Sequence, residues 1–152
     1  PQNRLKIESI ISTYKKRLYF ARELTSHHRA IRVLDLEYIN KIFTSNKTVN
    51  FLKNKTQNTR FVWLIGSDVL LNFHKWIKPK EISKNFPVAV IERPSYSYKV
   101  INILGASILG KRHKNIKFKL LNYSKPSWSF LRGKLNNTSS SKIKKFYPTH
   151  DR

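Results

Sequence analysis

The chain has 152 residues, 39% of them hydrophobic and 26% charged, which is enough for one globular domain with a core and excludes a wholly disordered chain. It has no cysteine, which excludes disulfides and thiolate metal sites, and its five histidines lack the spacing of a helical zinc pair, so we expect no structural metal site. There is no apolar run of about 18 residues and no signal-peptide pattern, so we expect a cytoplasmic protein without a membrane span.

The formal net charge is +23, from 31 Lys and Arg against 8 Asp and Glu. In isolation, such a charge predicts a polyanionic partner such as nucleic acid. The basic residues are spread along the whole chain, however, together with abundant Asn, Ile and Ser, and a compositional bias of the source genome would give the same totals. We therefore do not expect nucleic acid as a partner, although a basic nucleic-acid-binding module stays open as an alternative.

The first half of the chain predicts helices around one strand. Apolar residues from Ile7 onward recur at steps of three and four, which predicts an amphipathic helix that ends at about Thr25. Residues 31–37 are short and rich in branched side chains, so they predict a strand. Thr48 is placed to cap a short helix over residues 49–55.

The second half alternates strands and helices. Residues 61–65 are continuously apolar, the pattern of a strand covered on both faces, and helical spacing resumes over residues 69–76. Pro79 suits the first turn of a further short helix. Strands are then predicted at residues 87–91, 116–121 and 128–131, and helices at 98–109 and 139–146. This alternation predicts an α/β fold with a parallel sheet, helices on both faces and ligands beyond the carboxyl ends of the strands.

The turn after the first apolar strand is the best candidate site. Gly66 allows a close approach of backbone and ligand, because no side chain stands in the way. Asp68 is either a helix N-cap or an acceptor for ribose hydroxyls, and the pattern alone favours the cap. Trp76 is more often a packing residue than a stacking platform, although the nearby Phe73 and His74 raise the second possibility.

A second candidate lies at the start of the last predicted helix. Hydroxyls, free backbone N–H groups and positive charge come together there, and that combination suits phosphate groups. The residues are Ser139, Ser140, Ser141, Lys144 and Lys145.

Residues 61–68, Phe-Val-Trp-Leu-Ile-Gly-Ser-Asp, and residues 73–76, Phe-His-Lys-Trp, resemble a strand, a Gly-Ala-Asp turn and a Phe-x-x-Trp segment of the bacterial nicotinate-nucleotide adenylyltransferases. Further segments resemble that family in the same order along nearly the entire chain. They are residues 1–6, 31–37, 47–52, 88–94 and 139–144. Several linked motifs in one order are more specific than any of them alone.

The resemblance implies a Rossmann-like parallel sheet flanked by helices, and transfer of AMP from ATP to nicotinate mononucleotide with the help of Mg²⁺. The products are nicotinate adenine dinucleotide and pyrophosphate. It also implies that Gly66 and Asp68 contact the adenosine ribose, that Thr48 helps to hold the nicotinate carboxylate, and that Trp76 packs on the pyridine ring. Ser139, Ser140 and Lys144 would contact the ATP phosphates, with Ser141 in the place of the usual Thr.

The chain also departs from the family pattern. The family's first strand and its Gly-x-Phe-Asp-Pro-x-His-x-Gly-His segment, whose two histidines bind the triphosphate, are absent, so we expect one N-terminally truncated domain with exposed strand edges and little or no turnover. The smaller departures are Arg4 for Pro, Asn50 for Asp, Ser95 for Gly and Lys144 for Arg. The alternatives are an enzyme whose N-terminus is missing from the sequence, a decayed inactive remnant, or the nucleic-acid-binding module. The sequence predicts no particular oligomeric state.

Overall fold

The computed structural model describes residues 13–56, 58–94, 96, 102–114, 122, 124–133 and 135. Within them, four strands form one sheet in the order β1-β2-β4-β3. Every pairing in this sheet is parallel, which confirms the predicted α/β architecture. The strands are β1 (Trp63–Gly66), β2 (Val88–Ile91), β3 (Lys111–His113) and β4 (Ser127–Leu131).

Helices flank this sheet, and none in the described part of the chain is long and apolar enough to cross a membrane. They are α1 (Tyr14–Thr25), α2 (Leu36–Ile39), α3 (Ser45–Lys55), α4 (Ser67–Leu70), α5 (Pro79–Asn85) and α6 (Leu104–Ser107), with a 3-10 turn at Phe73–Lys75. The predicted end of the first helix at Thr25 and the predicted first-turn position of Pro79 in α5 are both confirmed.

The core lies on one face of the sheet. Val88 and Val90 of β2 are fully buried, and their partners in register, Trp128 and Phe130 of β4, are also buried. Because side chains alternate along a strand, these residues share a face with Ile65 of β1. The helices and the 3-10 turn cover that face with Val49, Leu70, Phe73 and Ile82.

Glu81 of α5 connects that helix to α3 through hydrogen bonds. Its Oε2 accepts hydrogen bonds from Asn46 Nδ2 at 3.3 Å and Asn50 Nδ2 at 3.4 Å, both on α3. Its Oε1 lies 3.3 Å from Lys78 Nζ. The hydrogen bond from Asn46, supported by Lys78, lowers the pKa of the Glu81 carboxyl against an opposing effect of desolvation.

The register brings the strand ends together. Gly66, the last residue of β1, pairs with Ile91, the last residue of β2, and Ile91 pairs with Leu131 at the end of β4. The segments that follow β1 and β2 therefore start side by side at one edge of the sheet. This places the turn after Gly66 next to the segment that contains Arg93.

The strand predicted at residues 31–37 is wrong. Residues 31–35 have no regular structure, and α2 begins at Leu36. The carbonyl of Asp35 accepts hydrogen bonds from the N–H groups of Tyr38 and Ile39, so the backbone is satisfied locally. No strand in the described residues pairs with this segment, and a lone apolar run gains nothing from an extended conformation without a partner.

The predicted cap at Thr48 is also wrong, although a helix does cover residues 49–55. The helix α3 starts one turn earlier, with Thr44 at the N-cap position, and Thr48 lies inside it. The Thr48 N–H donates to the Thr44 carbonyl at 3.1 Å, the normal bond of a helix interior. The polar residues that precede Thr48 are compatible with a helical turn, so they do not delay the start.

The helix predicted over residues 69–76 is interrupted. The helix α4 ends at Leu70, and the chain continues through i to i+3 hydrogen bonds into the 3-10 turn. Gly105 of α6 lies directly against the Leu70 carbonyl, which a continuous helix would use to accept the N–H of His74. Tertiary packing therefore overrides the helical spacing.

The strand predicted at residues 61–65 exists as β1, shifted toward Gly66, but it is not covered on both faces. Within the described residues β1 has one neighbouring strand, and Leu64 is 61% exposed on the face opposite the core. The strands predicted at 87–91 and 128–131 are confirmed as β2 and β4.

The remaining predicted elements fall partly or wholly outside the described residues. Of the helix predicted over residues 98–109, the structure shows α6 alone, and β3 was not predicted at all. The strand at 116–121 and the helix at 139–146 lie outside the described residues.

Candidate functional site

The candidate site lies where β1 and β2 end. The chain passes from Gly66 directly into α4, while β2 continues through Glu92 to Arg93. The backbone N–H of Arg93 donates a hydrogen bond of 2.9 Å to Ser67 Oγ, and Ser67 is fully buried. This bond fixes the two strand-end segments to each other.

Asp68 and Arg93 form an ion pair across these segments. Arg93 Nε lies 3.3 Å from Asp68 Oδ1, and the two side chains are 61% and 41% exposed, respectively. The atoms are within ion-pair distance but are not aligned for a hydrogen bond, since Oδ1 is buried and has no hydrogen-bond partner among the described residues. The attraction is therefore Coulombic, and solvent reduces its strength.

Gly66 provides the space that this pair occupies. A Cβ atom at Gly66 would clash with Asp68 Oδ1 and would lie 2.7 Å from Arg93 Nε. The backbone of Gly66, with φ of −78° and ψ of 154°, is one that any residue adopts, so the need for glycine here is steric. The close approach at Gly66 is made by Asp68 and Arg93 of the same chain, and the approach of a ligand to this backbone stays a prediction.

The N-cap interpretation of Asp68 is wrong. Gly66 occupies the N-cap position of α4, so Asp68 is the second residue of that helix, and no side chain caps its start. Asp68 has one buried carboxylate oxygen and a partly exposed side chain. It therefore has the exposure that an acceptor for a ligand hydroxyl needs.

The hydroxyl and the backbone N–H of Thr48 both donate hydrogen bonds within the chain. Its hydroxyl lies 2.7 Å from Glu37 Oε1 and 3.3 Å from the Thr44 carbonyl, and its N–H donates to the same carbonyl. Thr48 is 5% exposed. An anionic ligand at Thr48 would meet the Glu37 carboxylate, so it requires that this carboxylate move away.

Trp76 combines packing with partial exposure. Its ring centroid lies 5.2 Å from that of Phe73 at an interplanar angle of 45°, and Phe73 is fully buried. Trp76 packs against the core cluster while remaining half-buried. The packing interpretation of this residue is confirmed, and the part of its side chain left exposed is compatible with contact to a ligand.

The structure thus places two of the predicted site residues, Gly66 and Asp68, in direct contact. Thr48 and Trp76 lie on other elements, and no hydrogen bond or ring contact in the described part of the chain connects them to Gly66 or Asp68. Ser139, Ser140, Ser141 and Lys144 lie outside the described residues.

Ser67 and Arg93 also contribute contacts at these strand ends, and the sequence did not predict them as site residues. Both lie inside motifs that were recognised, the Gly-Ser-Asp turn and the Arg-Pro segment after β2. The signal that could have found them is a pair of apolar runs of equal length, residues 61–65 and 87–91, which are each followed within two residues by polar side chains. It indicates a contact only once the strands are known to be neighbours in register.

The described residues contain no group of three or more His, Cys, Asp or Glu side chains that could hold a metal ion. The carboxylates at the ends of β1 and β2 are Asp68 and Glu92, and Asp68 is next to a guanidinium. This donor set does not fit a metal held by the protein alone.

Comparison with known proteins places these features in a wider group. The cytidylyltransferase-like family model matches residues 2–146. A probable nicotinate-nucleotide adenylyltransferase of Brucella suis biovar 1 (strain 1330) is 31% identical over 150 residues, which cover 95% of this chain and 75% of the relative. A protein of the same name from Agrobacterium fabrum (strain C58) is 31% identical over 146 residues and is covered to 78%.

A solved structure shares the fold. A nicotinic acid mononucleotide adenylyltransferase of Plasmodium falciparum, complexed with APC, superimposes with a TM-score of 0.60 at 16% sequence identity. The match covers 90% of this chain and 63% of that one, so the chain spans less than two thirds of the solved protein. The Rossmann-like arrangement of the parallel sheet and its helices is therefore common to both.

Proposed function

Because the chain belongs to the cytidylyltransferase-like family and to its nicotinate-nucleotide adenylyltransferases, we propose that it serves the transfer of AMP from ATP to nicotinate mononucleotide in NAD biosynthesis. The products are nicotinate adenine dinucleotide and pyrophosphate. We also propose that the reaction takes place in the cytoplasm. Residues 1–152 belong, in this proposal, to a single nucleotidyltransferase-like domain.

One observation carries the proposal: the register of β1 and β2 brings Gly66, Asp68 and Arg93 together at the carboxyl edge of a parallel sheet. Nucleotides bind beyond this edge in open α/β sheets, where backbone and short polar side chains meet the sugar and the phosphates. Asp68 accepts hydrogen bonds from the ribose hydroxyls of ATP. Gly66 has no side chain and so leaves room for the Asp68 carboxylate.

The remaining contacts follow the family pattern. Ser139, Ser140, Ser141 and Lys144 bind the ATP phosphates, and Trp76 packs on the pyridine ring of the mononucleotide. Thr48 lies near the nicotinate carboxylate, which requires that the Glu37 carboxylate, 2.7 Å from the Thr48 hydroxyl, move away when the mononucleotide binds. These roles are supported by residue types and by the family to which the chain belongs.

The chemistry needs no covalent enzyme intermediate. A phosphate oxygen of the mononucleotide attacks the α-phosphorus of ATP, the new phosphorus–oxygen bond forms, and the bond to the pyrophosphate breaks. Positioning of the reactants and stabilisation of the charge on the leaving group account for catalysis of this type. The basic composition of the chain, with a net charge of +23, suits a reaction between two anions.

Mg²⁺ enters with the nucleotide. We place the ion on the phosphates of ATP, where it would offset their charge. No role assigned above to a residue of this chain depends on it.

Calorimetric titration of the chain with ATP and Mg²⁺ tests the proposal, with Asp68→Asn as the variant and Asp35→Asn as the control. Asp35 also pairs with an arginine, Arg22, at 3.8 Å, but it is remote in sequence from the strand ends. We expect the first substitution to weaken ATP binding and the second to leave it unchanged. If the wild-type chain binds no ATP, the proposed function is wrong. If both variants bind ATP as the wild type does, the role assigned to Asp68 is wrong.

Turnover is a separate matter from binding. These 152 residues contain no Gly-x-Phe-Asp-Pro-x-His-x-Gly-His segment, so we expect ATP binding with little pyrophosphate release in the presence of nicotinate mononucleotide. A coupled pyrophosphate assay measures this directly. Rapid turnover would show that other groups can replace the two histidines of that segment.

A further inference from the structure

The Asp68 carboxylate is held asymmetrically. Oδ1 is buried beside Arg93 Nε, at 3.3 Å, and rests against Gly66, whereas the side chain as a whole is 41% exposed. Its exposed surface therefore lies on the other side of the carboxylate, which carries Oδ2. One oxygen faces the protein and the other is left for solvent or a ligand.

Arg93 is itself fixed from its backbone. Its N–H donates to Ser67 Oγ at 2.9 Å, and Ser67 is the residue that immediately precedes Asp68. The guanidinium therefore approaches Asp68 from a segment that is bound to the neighbouring residue. Because the backbone is held on both sides of the contact, the Arg93 guanidinium stays within reach of Asp68, and its charge favours the orientation in which Oδ1 faces it.

We propose that Arg93 is a positioning residue for Asp68, whose Oδ1 it holds over Gly66 so that Oδ2 accepts hydrogen bonds from the sugar hydroxyls of the nucleotide. The inference rests on the proposed function, since it deepens the ribose contact assigned there. Arg93 contributes to sugar recognition through Asp68, and its guanidinium touches neither the sugar nor the reacting phosphorus.

The test compares the dissociation constants of ATP and 2′,3′-dideoxy-ATP, which lacks both sugar hydroxyls. Their ratio measures the sugar contact alone, because the base and the phosphates are the same. In the wild-type chain we expect ATP to bind more tightly. In Arg93→Gln we expect the ratio to fall by about threefold, the size of effect typical of a partly exposed ion pair.

Three variants make the result specific. Arg93→Lys retains a cation beside Asp68, so its ratio of dissociation constants should lie between those of the wild type and Arg93→Gln. Asp68→Asn should bind the two nucleotides equally, and adding Arg93→Gln to it should not change the ratio further. Arg22→Gln removes a pair of similar exposure, 55% and 36%, elsewhere in the chain and should leave the ratio unchanged. Thermal unfolding of each variant separates a lost contact from a lost fold.

The possible outcomes separate the role of Arg93 from the ribose contact of Asp68 and from ATP binding. An equal loss of affinity for both nucleotides in Arg93→Gln would mean that Arg93 contacts the phosphates, which overturns the inference. An unchanged ratio with wild-type stability would also overturn it while leaving the proposed function intact. If the wild-type chain binds ATP and the dideoxy nucleotide equally, both the ribose assignment of Asp68 and the inference fail, although ATP binding itself would stand.

Discussion

The Thr48 hydroxyl and the Glu37 carboxylate lie 2.7 Å apart, which joins α3 to α2. Both donors of Thr48 are engaged with neighbouring protein oxygens, and its side chain is buried. The segment around Glu37 is therefore part of the surroundings of Thr48 and shapes what can bind there. This relationship was invisible in the sequence, where residues 31–37 suggested a strand.

The first prediction concerns the charge at Glu37. Glu37→Gln keeps an acceptor for the Thr48 hydroxyl but removes the negative charge, so we expect nicotinate mononucleotide to gain affinity relative to nicotinamide mononucleotide. Competition binding with the two mononucleotides measures the difference. An unchanged preference would place the pyridine ring away from Thr48 and would refute the role proposed for that residue.

The same pair predicts a stability effect. Thr48→Val keeps the shape of the side chain but removes its hydroxyl, and we expect the free energy of unfolding to fall by about 1–2 kcal/mol, since a hydrogen bond to a charged group is lost. Urea unfolding of the wild type and the variant measures this. In the Glu37→Gln background the valine substitution should cost less, because the bond it removes is no longer charge-assisted.

Gly66→Ala should impair ATP binding for a steric reason. The added methyl group would clash with Asp68 Oδ1 and approach Arg93 Nε, so the ion pair has to move. We expect weaker ATP binding together with a loss of about 1–3 kcal/mol in the free energy of unfolding. Gly133→Ala is the control, since a Cβ there meets nothing within 4 Å. Unaltered ATP affinity in Gly66→Ala would show that the position of the pair does not matter for binding.

Glu81 predicts a dependence of stability on pH. The pKa of its carboxyl is lowered in the folded chain, chiefly by the hydrogen bond from Asn46, so the ionised form stabilises the fold above the ordinary pKa of a glutamate. That contribution is lost as the pH falls through the lowered pKa. Urea unfolding at about pH 7 and about pH 3 should therefore show a smaller pH effect for Glu81→Gln than for the wild type. Equal pH effects would mean that other carboxylates govern acid stability.

Leu64 predicts self-association. It is 61% exposed on β1, which has one strand neighbour in the described residues, and such an edge can pair with another chain. We expect Leu64→Lys to remain monomeric at higher concentration than the wild type in sedimentation experiments. Leu24→Lys removes another exposed leucine, on α1 and away from the sheet, and should have a smaller effect. Similar gains from both substitutions would attribute association to general hydrophobicity.

The parts of the fold that were predictable are those fixed by local pattern. Apolar runs around residues 63–66 and 88–91 form strands because they can be buried, and Pro79 begins a helix because its fixed φ suits the first turn. Residues 31–37 failed because whether a branched apolar run forms a strand depends on a partner that sequence alone does not show.

The same distinction applies to the site. Gly66 and Asp68 were predictable because the type of turn and the family motif point to them. The roles of Ser67 and Arg93 were not, since they depend on the register that sets Gly66 opposite Ile91 and so brings residues separated by 26 positions within hydrogen-bonding distance. The interruption after α4 likewise depends on the approach of Gly105 from a distant segment.

The Asp68–Arg93 pair also bears on how fast a nucleotide arrives. The chain carries a net charge of +23, and its field accelerates the encounter with an anion such as ATP, but the pair itself adds no net charge. Salt should therefore slow association strongly, because it screens the long-range field. The preference of the protein for a nucleotide with sugar hydroxyls should change little with salt, since that contact is made over a few ångströms. The rate of capture and the selectivity of the sugar contact are thus set by separate groups in the molecule.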